Sequence, residues 1–340
     1  EDGKNVVLSI DRNIQAQAEK ILKNKLESSG AKDGSVIVMD PQTGKVMAMA
    51  NYPTYNPAEF STVTDASVFM NGTTTSAYEN GSVVKSLTMA MGIDTGVASP
   101  SDTYYNKDFV EIEDRTIKNA ALGHTGMITF QTAMNYSLNT GMVEIASRLG
   151  GGQINKTARD TMYNYYHDRF GLGEKTGVEV YEEKGTVISP ENAEGNAVRY
   201  SNMSFGQGMN TTMIQAASAF SSIINGGTLY KPIVINGEIT SSGEYKQADA
   251  EVRQENVIKS TTSDQIRDVL VTARNSVGTT NDLAGYRVGG KTGTSQTIEN
   301  GGYVDYQTIG SYLGFGGNNT PKFVIMVAVS GAGQNLQGTQ

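Results

Sequence analysis

The sequence contains no cysteine and only two histidines, His124 and His167. The lack of cysteine excludes a thiol nucleophile, a thiolate metal site and a disulfide framework. The histidines lie far apart in the chain and belong to no His-Glu-x-x-His motif, so a histidine-ligated metal or a Ser-His-Asp triad has little support. We therefore expect no metal and no cofactor, and lysine remains as the candidate catalytic base.

The sequence also has fewer basic than acidic residues. The 340 residues include 27 Lys and Arg against 35 Asp and Glu, which gives a formal net charge of -8, and no basic cluster stands out. This composition argues against a nucleic acid or an anionic membrane surface as the main partner. A chain of this length can still form one large domain or two ordinary ones, with a core that excludes water from a pocket.

Long apolar runs are absent as well. A membrane-spanning helix needs about 18 consecutive apolar residues, and the sequence has no such run. The first residue, Glu1, is not an initiator methionine. We expect the chain to be a fragment of a longer protein.

The stretch around Ser82 carries the first candidate for chemistry. Apolar residues recur at helical spacing from Val83 onward, which places Ser82 where a loop becomes a helix and Lys85 one turn further along. Residues three apart share a helix face, so the hydroxyl and the amine can meet. A serine becomes a nucleophile when an adjacent group takes its proton, and lysine can do so if burial or a nearby cation lowers its pKa.

The same spacing also has an ordinary explanation. Ser82 can be a helix N-cap followed by a solvated Lys85. A second Ser-x-x-Lys match, Ser29 with Lys32, contains Gly30 and is predicted to be a structural loop between a helix and a strand. Other motifs must therefore support the choice of Ser82.

A second polar pair lies within a helical region predicted from Gly126 to Leu149, with Thr129 as its N-cap. Ser137 and Asn139 are two residues apart, and on an unbroken helix their side chains would diverge. In a loop between two short helices, both side chains could face one cleft.

The periodicity along the chain predicts a mixed α/β fold. Two strands joined by a hairpin are predicted early and three strands late, so the sheet is assembled from both ends of the chain and helices pack on it. The predicted strands are 5–10, 34–40, 45–50, 178–181, 286–294, 308–315 and 322–329, and further helices are predicted at 14–26, 215–224 and 263–273. Residues 52–75 are predicted to be an extended loop.

These elements predict a single domain over residues 1–340. Its sheet part is expected at about 1–60 and 260–340, a helical part at about 76–235, and a polar surface excursion at about 237–255. The aromatic cluster at 163–166 is predicted to pack in the core.

Lys291 admits two interpretations. Residues 285–292 match the phosphate-loop pattern G-x-x-x-x-G-K-[ST], but that motif needs a buried strand before it and a helix that begins at the lysine, and neither flank fits. Alternatively, Lys291-Thr292-Gly293-Thr294 forms an edge strand along the cleft. The lysine and two hydroxyls would then bind a carboxylate, Gly293 would let a peptide lie close, and the amides of Thr294 and Ser82 would form an oxyanion hole.

The three motifs occur in the order Ser82-x-x-Lys85, Ser137-x-Asn139 and Lys291-Thr-Gly-Thr294. Together they resemble the penicillin-binding protein and serine β-lactamase superfamily, with an antiparallel sheet and a helical subdomain. The context resembles the transpeptidase domain of a monofunctional, class B penicillin-binding protein of the cell-division type. The supporting stretches are 39–49, 126–129, 170–173, 204–208 and 225–227.

The resemblance implies a D,D-transpeptidase that cross-links peptidoglycan stem peptides. Ser82 would attack the carbonyl of a D-Ala-D-Ala donor with Lys85 as base, expel D-alanine and pass the acyl group to an acceptor amine. Ser137 would relay a proton to the leaving nitrogen. Lys291 would keep Lys85 neutral and hold Ser137, because two nearby cations depress each other's pKa.

The same resemblance assigns the binding residues. Asn139 would hydrogen-bond the substrate amide, and Thr292 and Thr294 would bind the terminal carboxylate beside Gly293. β-Lactams would acylate Ser82. The parent protein is expected to be anchored in the bacterial membrane with this domain outside the cytoplasm, and to work with a glycan polymerase and division proteins.

The chain departs from the family pattern in several places. Ser86 follows the active-site lysine where the family usually has proline, and residues 83–84 are Val-Val rather than Thr-Phe. The polar end at 331–340 stands where the family has a C-terminal helix. The membrane helix and the pedestal module of the family are also missing, so part of the parent protein is expected to lie outside this sequence.

Two alternative functions belong to the same fold. A β-lactamase needs a base for hydrolysis of the acyl-enzyme, and no Glu-x-x-Leu-Asn lies between Asn139 and Lys291, so deacylation is expected to be slow. A non-catalytic β-lactam sensor or division scaffold has no need for Lys85 beside Lys291.

Overall fold

A computed structural model describes residues 3–278, 282–299, 302–331 and 333–336. Parts of the predicted sheet region, at 279–281, 300–301, 332 and 337–340, lie outside the described residues. The helices are α1 (Arg12–Ser29), α2 (Gly72–Thr75), α3 (Lys85–Thr95), α4 (Phe130–Asn135), α5 (Asn139–Leu149), α6 (Lys156–Tyr163), α7 (Ala197–Met203), α8 (Met213–Ile224) and α9 (Ser260–Asn275).

The strands are β1 (Asn5–Leu8), β2 (Asp33–Met39), β3 (Val46–Tyr52), β4 (Thr103–Asn106), β5 (Phe109–Ile112), β6 (Arg115–Lys118), β7 (Gly126–Thr129), β8 (Leu229–Tyr230), β9 (Ile235–Ile239), β10 (Tyr245–Gln247), β11 (Val252–Gln254), β12 (Arg287–Glu299), β13 (Gly302–Gly317) and β14 (Pro321–Ser330). Short helical turns occupy Pro57–Thr62, Ala66–Phe69, Gly81–Val84 and Asn164–Arg169.

The main sheet joins the two ends of the chain. Its five strands lie in the order β12-β13-β14-β2-β3, and every neighbouring pair is antiparallel. Strands β14 and β2 meet at the centre, where Met326 pairs with Ile37. The α/β fold class and the assembly of the sheet from early and late strands are therefore confirmed.

Side-chain alternation gives this sheet two buried faces. Ile37 and Met39 point into the large core shared with the helices, whereas Val36 and Val38 point to the opposite face and pack against Leu22 of α1. Successive side chains of a strand alternate between faces, so an uninterrupted apolar run indicates burial on both sides. Helices thus cover the sheet from both sides.

The helices on the larger face carry the site. All residues of α8 are buried beneath the sheet, and the first ten residues of α3 are buried as well. Helix α9 packs along β12, where a Cβ on Gly289 would lie 3.0 Å from the backbone nitrogen of Val271. This packing fixes β12, which is an edge strand of the sheet, relative to the start of α3.

Three local predictions are wrong. Gly126–Thr129 is strand β7, paired with β4, rather than the start of a helix, although Thr129 does cap α4 by accepting from the Thr132 N–H. The loop at 52–75 contains α2 and two helical turns. Residues 178–181 form no strand, because the Glu182 carboxylate accepts from the backbone N–H groups of Thr176 and Gly177 and folds this segment into a turn.

Smaller sheets complete the fold. β9 pairs with β1 and β10, and β11 pairs with β8, so exposed short strands lie in the predicted surface excursion. Two further pairs, β4 with β7 and β5 with β6, stand beside α4 and α5. Within the described ranges, no helix has the length and apolar character needed to cross a membrane.

Candidate active site

Ser82 lies at the entrance to α3. It belongs to the helical turn Gly81–Val84, and its carbonyl accepts a hydrogen bond from the Lys85 backbone N–H where α3 begins. Ser82 is half-buried, whereas Lys85 is fully buried. The sequence prediction for this junction, a loop that becomes a helix with the lysine one turn later, agrees with the structure.

The Lys85 amine reaches across to the loop between α4 and α5. Its Nζ donates to the carbonyl oxygen of Ser137 at 2.6 Å and to Ser137 Oγ at 3.1 Å. Burial lowers the pKa of Lys85 well below its usual range, and the positive charge of Lys291 lowers it further. A buried amine that readily loses its proton can serve as a base near neutral pH.

Ser137 has an unusual backbone conformation. Its φ of 56° places it in the left-handed region, which costs a residue other than glycine about 1–2 kcal/mol. The Leu138 N–H, which donates to the Ala133 carbonyl at 2.8 Å, holds this connection between α4 and α5. Such strain is retained where the surroundings impose it, and here it turns Ser137 toward Lys85.

Asn139 is the first residue of α5, and its side chain is hydrogen-bonded to the end of a neighbouring strand. Its Nδ2 donates to the Lys118 carbonyl oxygen at 2.9 Å, which ties the helix to the end of β6. Ser137 therefore lies in the predicted break between two short helices, and Asn139 begins the second of them. Ser137 lines the cavity described below and Asn139 does not, so a shared cleft for the two side chains stays a prediction.

Lys291 lies within β12 and not at the start of a helix. Strand geometry at this lysine rules out the phosphate-loop interpretation, which requires a helix there. The residue is 4% exposed, and its Nζ donates to the Thr292 carbonyl at 3.2 Å. Burial lowers the pKa of Lys291 to about 8.

The turn that carries Ser82 packs directly on β12. A Cβ on Gly293 would lie 3.0 Å from Val83 Cγ1 and 3.1 Å from the Asn80 carbonyl oxygen, and a Cβ on Gly81 would lie 2.6 Å from the Thr294 carbonyl oxygen. Residues on either side of Ser82 thus pack against residues 293 and 294. The structure brings the three sequence motifs to one place.

A cavity of about 500 Å³ opens beside these groups. Ser137, Lys291 and Thr292 contribute to its wall, together with residues that the motifs did not indicate, among them Tyr136, Arg274 and Tyr312. Arg274 forms an ion pair with Asp282. The Tyr312 hydroxyl lies so close to Gly290 that a Cβ there would clash with it. In the sequence, the glycine at position 290 is the one sign of this close contact.

The arrangement is suited to covalent chemistry at a hydroxyl. A half-buried serine precedes a buried lysine with a lowered pKa, a second lysine lies on the adjacent strand, and a second hydroxyl contacts the first amine. Ser82 and Lys85 are not among the residues that line the cavity, but both adjoin residues that do, because Lys85 contacts Ser137 and the turn that carries Ser82 packs on β12. A carbonyl compound placed next to Ser82 would be attacked by the hydroxyl while the amine accepts the proton. Acyl transfer is the reaction class that these groups support.

Comparisons with known proteins agree with this chemistry. Residues 34–340 match the family model described as the penicillin binding protein transpeptidase domain. Stage V sporulation protein D of Bacillus subtilis is 33% identical over 345 residues, which cover 99% of this chain and 51% of that protein. A probable peptidoglycan D,D-transpeptidase, PenA of Neisseria flavescens, is 28% identical over 330 residues, which cover 96% of this chain and 76% of PenA.

A solved structure also matches the fold closely. The crystal structure of penicillin binding protein 3 from Mycobacterium tuberculosis, complexed with aztreonam, superposes with a TM-score of 0.85 at 25% identity, covering 98% of this chain and 75% of that one. The chain spans about half the length of the Bacillus relative.

Proposed function

Because the chain belongs to the family of penicillin-binding protein transpeptidase domains, as its motifs predict, we propose that it is a serine D,D-transpeptidase. It cross-links peptidoglycan stem peptides through an acyl-enzyme on Ser82, and β-lactams acylate the same hydroxyl. The observation that carries this proposal is the fully buried Lys85, whose amine contacts Ser137 and whose pKa is lowered by burial and by Lys291.

Acylation uses Lys85 as the base. Ser82 Oγ attacks the carbonyl carbon of the penultimate D-alanine of the donor, and its proton passes to the neutral Lys85 Nζ. The tetrahedral intermediate collapses to an ester, and the carbon–nitrogen bond to the terminal D-alanine breaks. The leaving nitrogen takes a proton through Ser137, which Lys85 contacts. An acceptor amine then attacks the ester, forms the new amide and returns a proton to Ser82.

The edge of β12 supplies the oxyanion hole. The carbonyl of Thr294 points toward Gly81, and in an extended strand the N–H and C=O of one residue point to the same edge. The Thr294 N–H therefore faces the turn that carries Ser82. Together with the Ser82 N–H it can donate to the oxygen that becomes negative during attack, a contribution that often amounts to about 3–4 kcal/mol per donor.

The binding roles are assigned on β12 and at the start of α5, and of these residues Lys291 and Thr292 line the cavity. Lys291, Thr292 and Thr294 bind the terminal carboxylate of the donor, and the absent side chain of Gly293 lets the peptide lie along the strand edge. Asn139, whose amide is held by Lys118, hydrogen-bonds the substrate amide. Metal ions and cofactors have no part in this scheme.

A β-lactamase is less well supported than a transpeptidase. Within the described part of the chain, the residues that line the cavity include no Asp or Glu that could activate water. The acyl-enzyme should therefore last long enough for an amine to compete with hydrolysis. A scaffold without catalysis would have no reason to bury Lys85 close to Lys291.

A cross-linking assay tests the activity. A donor peptide that ends in D-Ala-D-Ala, supplied with an acceptor peptide that bears a free amine, should yield an amide-linked dimer and D-alanine. A fluorescent penicillin should label the protein and be released slowly. Labelling without dimer formation would favour a β-lactam sensor, and rapid turnover of the label would favour a β-lactamase.

The acylation rate constant is expected to depend on pH in a bell shape. It rises with pH as Lys85 loses its proton, and it falls above about pH 8 as Lys291, with its pKa of about 8, loses the charge that binds carboxylate. Stopped-flow labelling with a fluorescent penicillin would measure both limbs. In Lys291→Arg the guanidinium stays protonated, so the falling limb should disappear; an unchanged falling limb would contradict this assignment.

The setting of the domain is part of the proposal. Peptidoglycan lies outside the cytoplasmic membrane, so the domain should act there, tethered to the bacterial membrane by other parts of its parent protein. A glycan polymerase and division proteins would be its partners. Fractionation of the parent protein with the membrane, and its cross-linking to a polymerase, would test this setting.

A further inference from the structure

The segment at 204–211, between α7 and α8, lies against the residues that immediately precede Ser82. We propose that Gly206 in this segment is a positioning residue: it forms the surface that fixes Gly81, and thereby places the Ser82 hydroxyl and its backbone N–H for acylation. The inference rests on the proposed function only in taking Ser82 as the nucleophile.

Gly206 contacts Gly81 more closely than any other residue type would allow. The Gly81 N–H donates to the Gly206 carbonyl at 3.1 Å. A Cβ on Gly206 would lie 2.0 Å from the Gly81 carbonyl oxygen and 2.6 Å from its carbonyl carbon. These atoms belong to the peptide bond that leads into Ser82, so any side chain at 206 must move that peptide.

The opposite side of Gly81 offers no space for such a movement. A Cβ on Gly81 would lie 2.6 Å from the Thr294 carbonyl oxygen, so the Gly81 backbone is confined between Gly206 and Thr294. Gly81 also has a φ of 59°, in the left-handed region that favours glycine. A shift away from Gly206 would press on the strand that supplies the second oxyanion donor.

The flanking contacts prevent the two segments from separating. Tyr78 and Thr211 exchange backbone hydrogen bonds at 3.3 and 3.0 Å, and the Thr211 hydroxyl donates to Asn80 Oδ1 at 2.8 Å. On the same flank, the Gly208 N–H donates to Glu79 Oε1 at 2.7 Å. On the other flank, beyond Ser82, the Thr88 hydroxyl of α3 donates to the Ser204 carbonyl oxygen at 2.6 Å. With both flanks fixed, a displacement at Gly206 is transmitted to Ser82.

The test compares Gly206→Ala with a matched control, Gly226→Ala. Both glycines have positive φ, 89° at Gly206 and 103° at Gly226, so both substitutions strain the backbone; a Cβ on Gly226, however, would meet nothing within 4 Å. Stopped-flow labelling with a fluorescent penicillin separates the acylation rate constant from the dissociation constant of the initial complex, and thermal unfolding reports stability.

We expect Gly206→Ala to lower the acylation rate constant by about 100-fold, the scale of a displacement of about 1 Å. The dissociation constant should change less than about threefold, and the pH profile should keep its shape, because Lys85 and Lys291 are untouched. Gly226→Ala should acylate at the wild-type rate. Equal rates for Gly206→Ala and the wild type, or equal losses in both variants, would overturn the proposal.

A milder variant covers the case in which Gly206→Ala does not fold. Thr211→Val keeps the shape of the side chain and removes only the hydrogen bond to Asn80. It should lower the acylation rate constant about 5-fold to 10-fold, the equivalent of one hydrogen bond of about 1 kcal/mol; a wild-type rate would overturn the proposal. If the wild-type protein itself is not acylated, it is the proposed function that fails.

Discussion

Replacement of Ser82 with alanine is expected to abolish covalent labelling by a fluorescent penicillin and to lower the acylation rate at least about 10⁴-fold. The hydroxyl oxygen is the only atom of the protein that forms a bond with the substrate carbonyl carbon in this scheme, and no neighbouring group can substitute for it. Fold stability should change little, because Ser82 is half-buried and α3 begins after it. Gel fluorescence and stopped-flow labelling measure the loss.

The chain provides its own control for this substitution. Ser29 belongs to the other Ser-x-x-Lys match and lies at the end of α1, where its hydroxyl donates to the Leu26 carbonyl. Ser29→Ala should be labelled at the wild-type rate. Persistent labelling of Ser82→Ala would show that the nucleophile is elsewhere.

Lys85→Met should give the second largest effect, an acylation rate lowered by about 10²–10⁴-fold, the usual contribution of a general base. Methionine has nearly the same length and no proton acceptor of comparable strength. The substitution has two opposing effects on fold stability. It removes the cost of burying a charge, because the amine is fully buried, and it leaves the Ser137 carbonyl without the donor that lies 2.6 Å away. Stopped-flow labelling across pH would measure the rate.

The pH profile distinguishes a base from a structural residue. If Lys85 is the base, its replacement should also remove the rising limb of the profile, whereas a loss caused by misfolding would leave the limb in place at reduced amplitude. Lys32→Met, which alters the exposed lysine of the other match, is the control and should leave both limbs unchanged. A wild-type profile in Lys85→Met would exclude Lys85 as the base.

Local spacing was enough to predict the Ser82 to Lys85 junction. Three residues along a helix bring two side chains to one face whatever the rest of the fold does. The strands of the main sheet were also predictable, since Asp33–Met39 and Val46–Tyr52 flank a Pro-Gln-Thr-Gly turn and Pro321–Ser330 has a long apolar pattern. The observed sheet confirms the predicted fold class.

The short strands were missed for a physical reason. β4, β5, β6 and β7 have four residues each, too few for a two-residue period to appear above the surrounding polar sequence. The opposite error is the strand predicted at 178–181, a segment held in another conformation by the buried Glu182 carboxylate, which accepts from two backbone N–H groups. Strand pairing decided the conformation of the short strands, and the contacts of one carboxylate decided the conformation at 178–181.

The contacts that define the site are mostly long-range. Lys85 meets Ser137, and Gly81 meets Gly206 and Thr294, across gaps in the sequence that no local pattern encodes. The family resemblance predicted that the motifs share a cleft, but it did not indicate Arg274, Tyr312 or the close contact at Gly206. The catalytic and binding roles of the individual residues stay predictions until the variants are measured.

Mass spectrometry of the penicillin-treated protein, followed by peptide mapping, tests the central claim most directly. The account predicts one covalent adduct with the mass of the intact penicillin, on the peptide that contains Ser82 and on that hydroxyl. An adduct on any other residue, or a stable and folded protein that acquires no adduct, would contradict it.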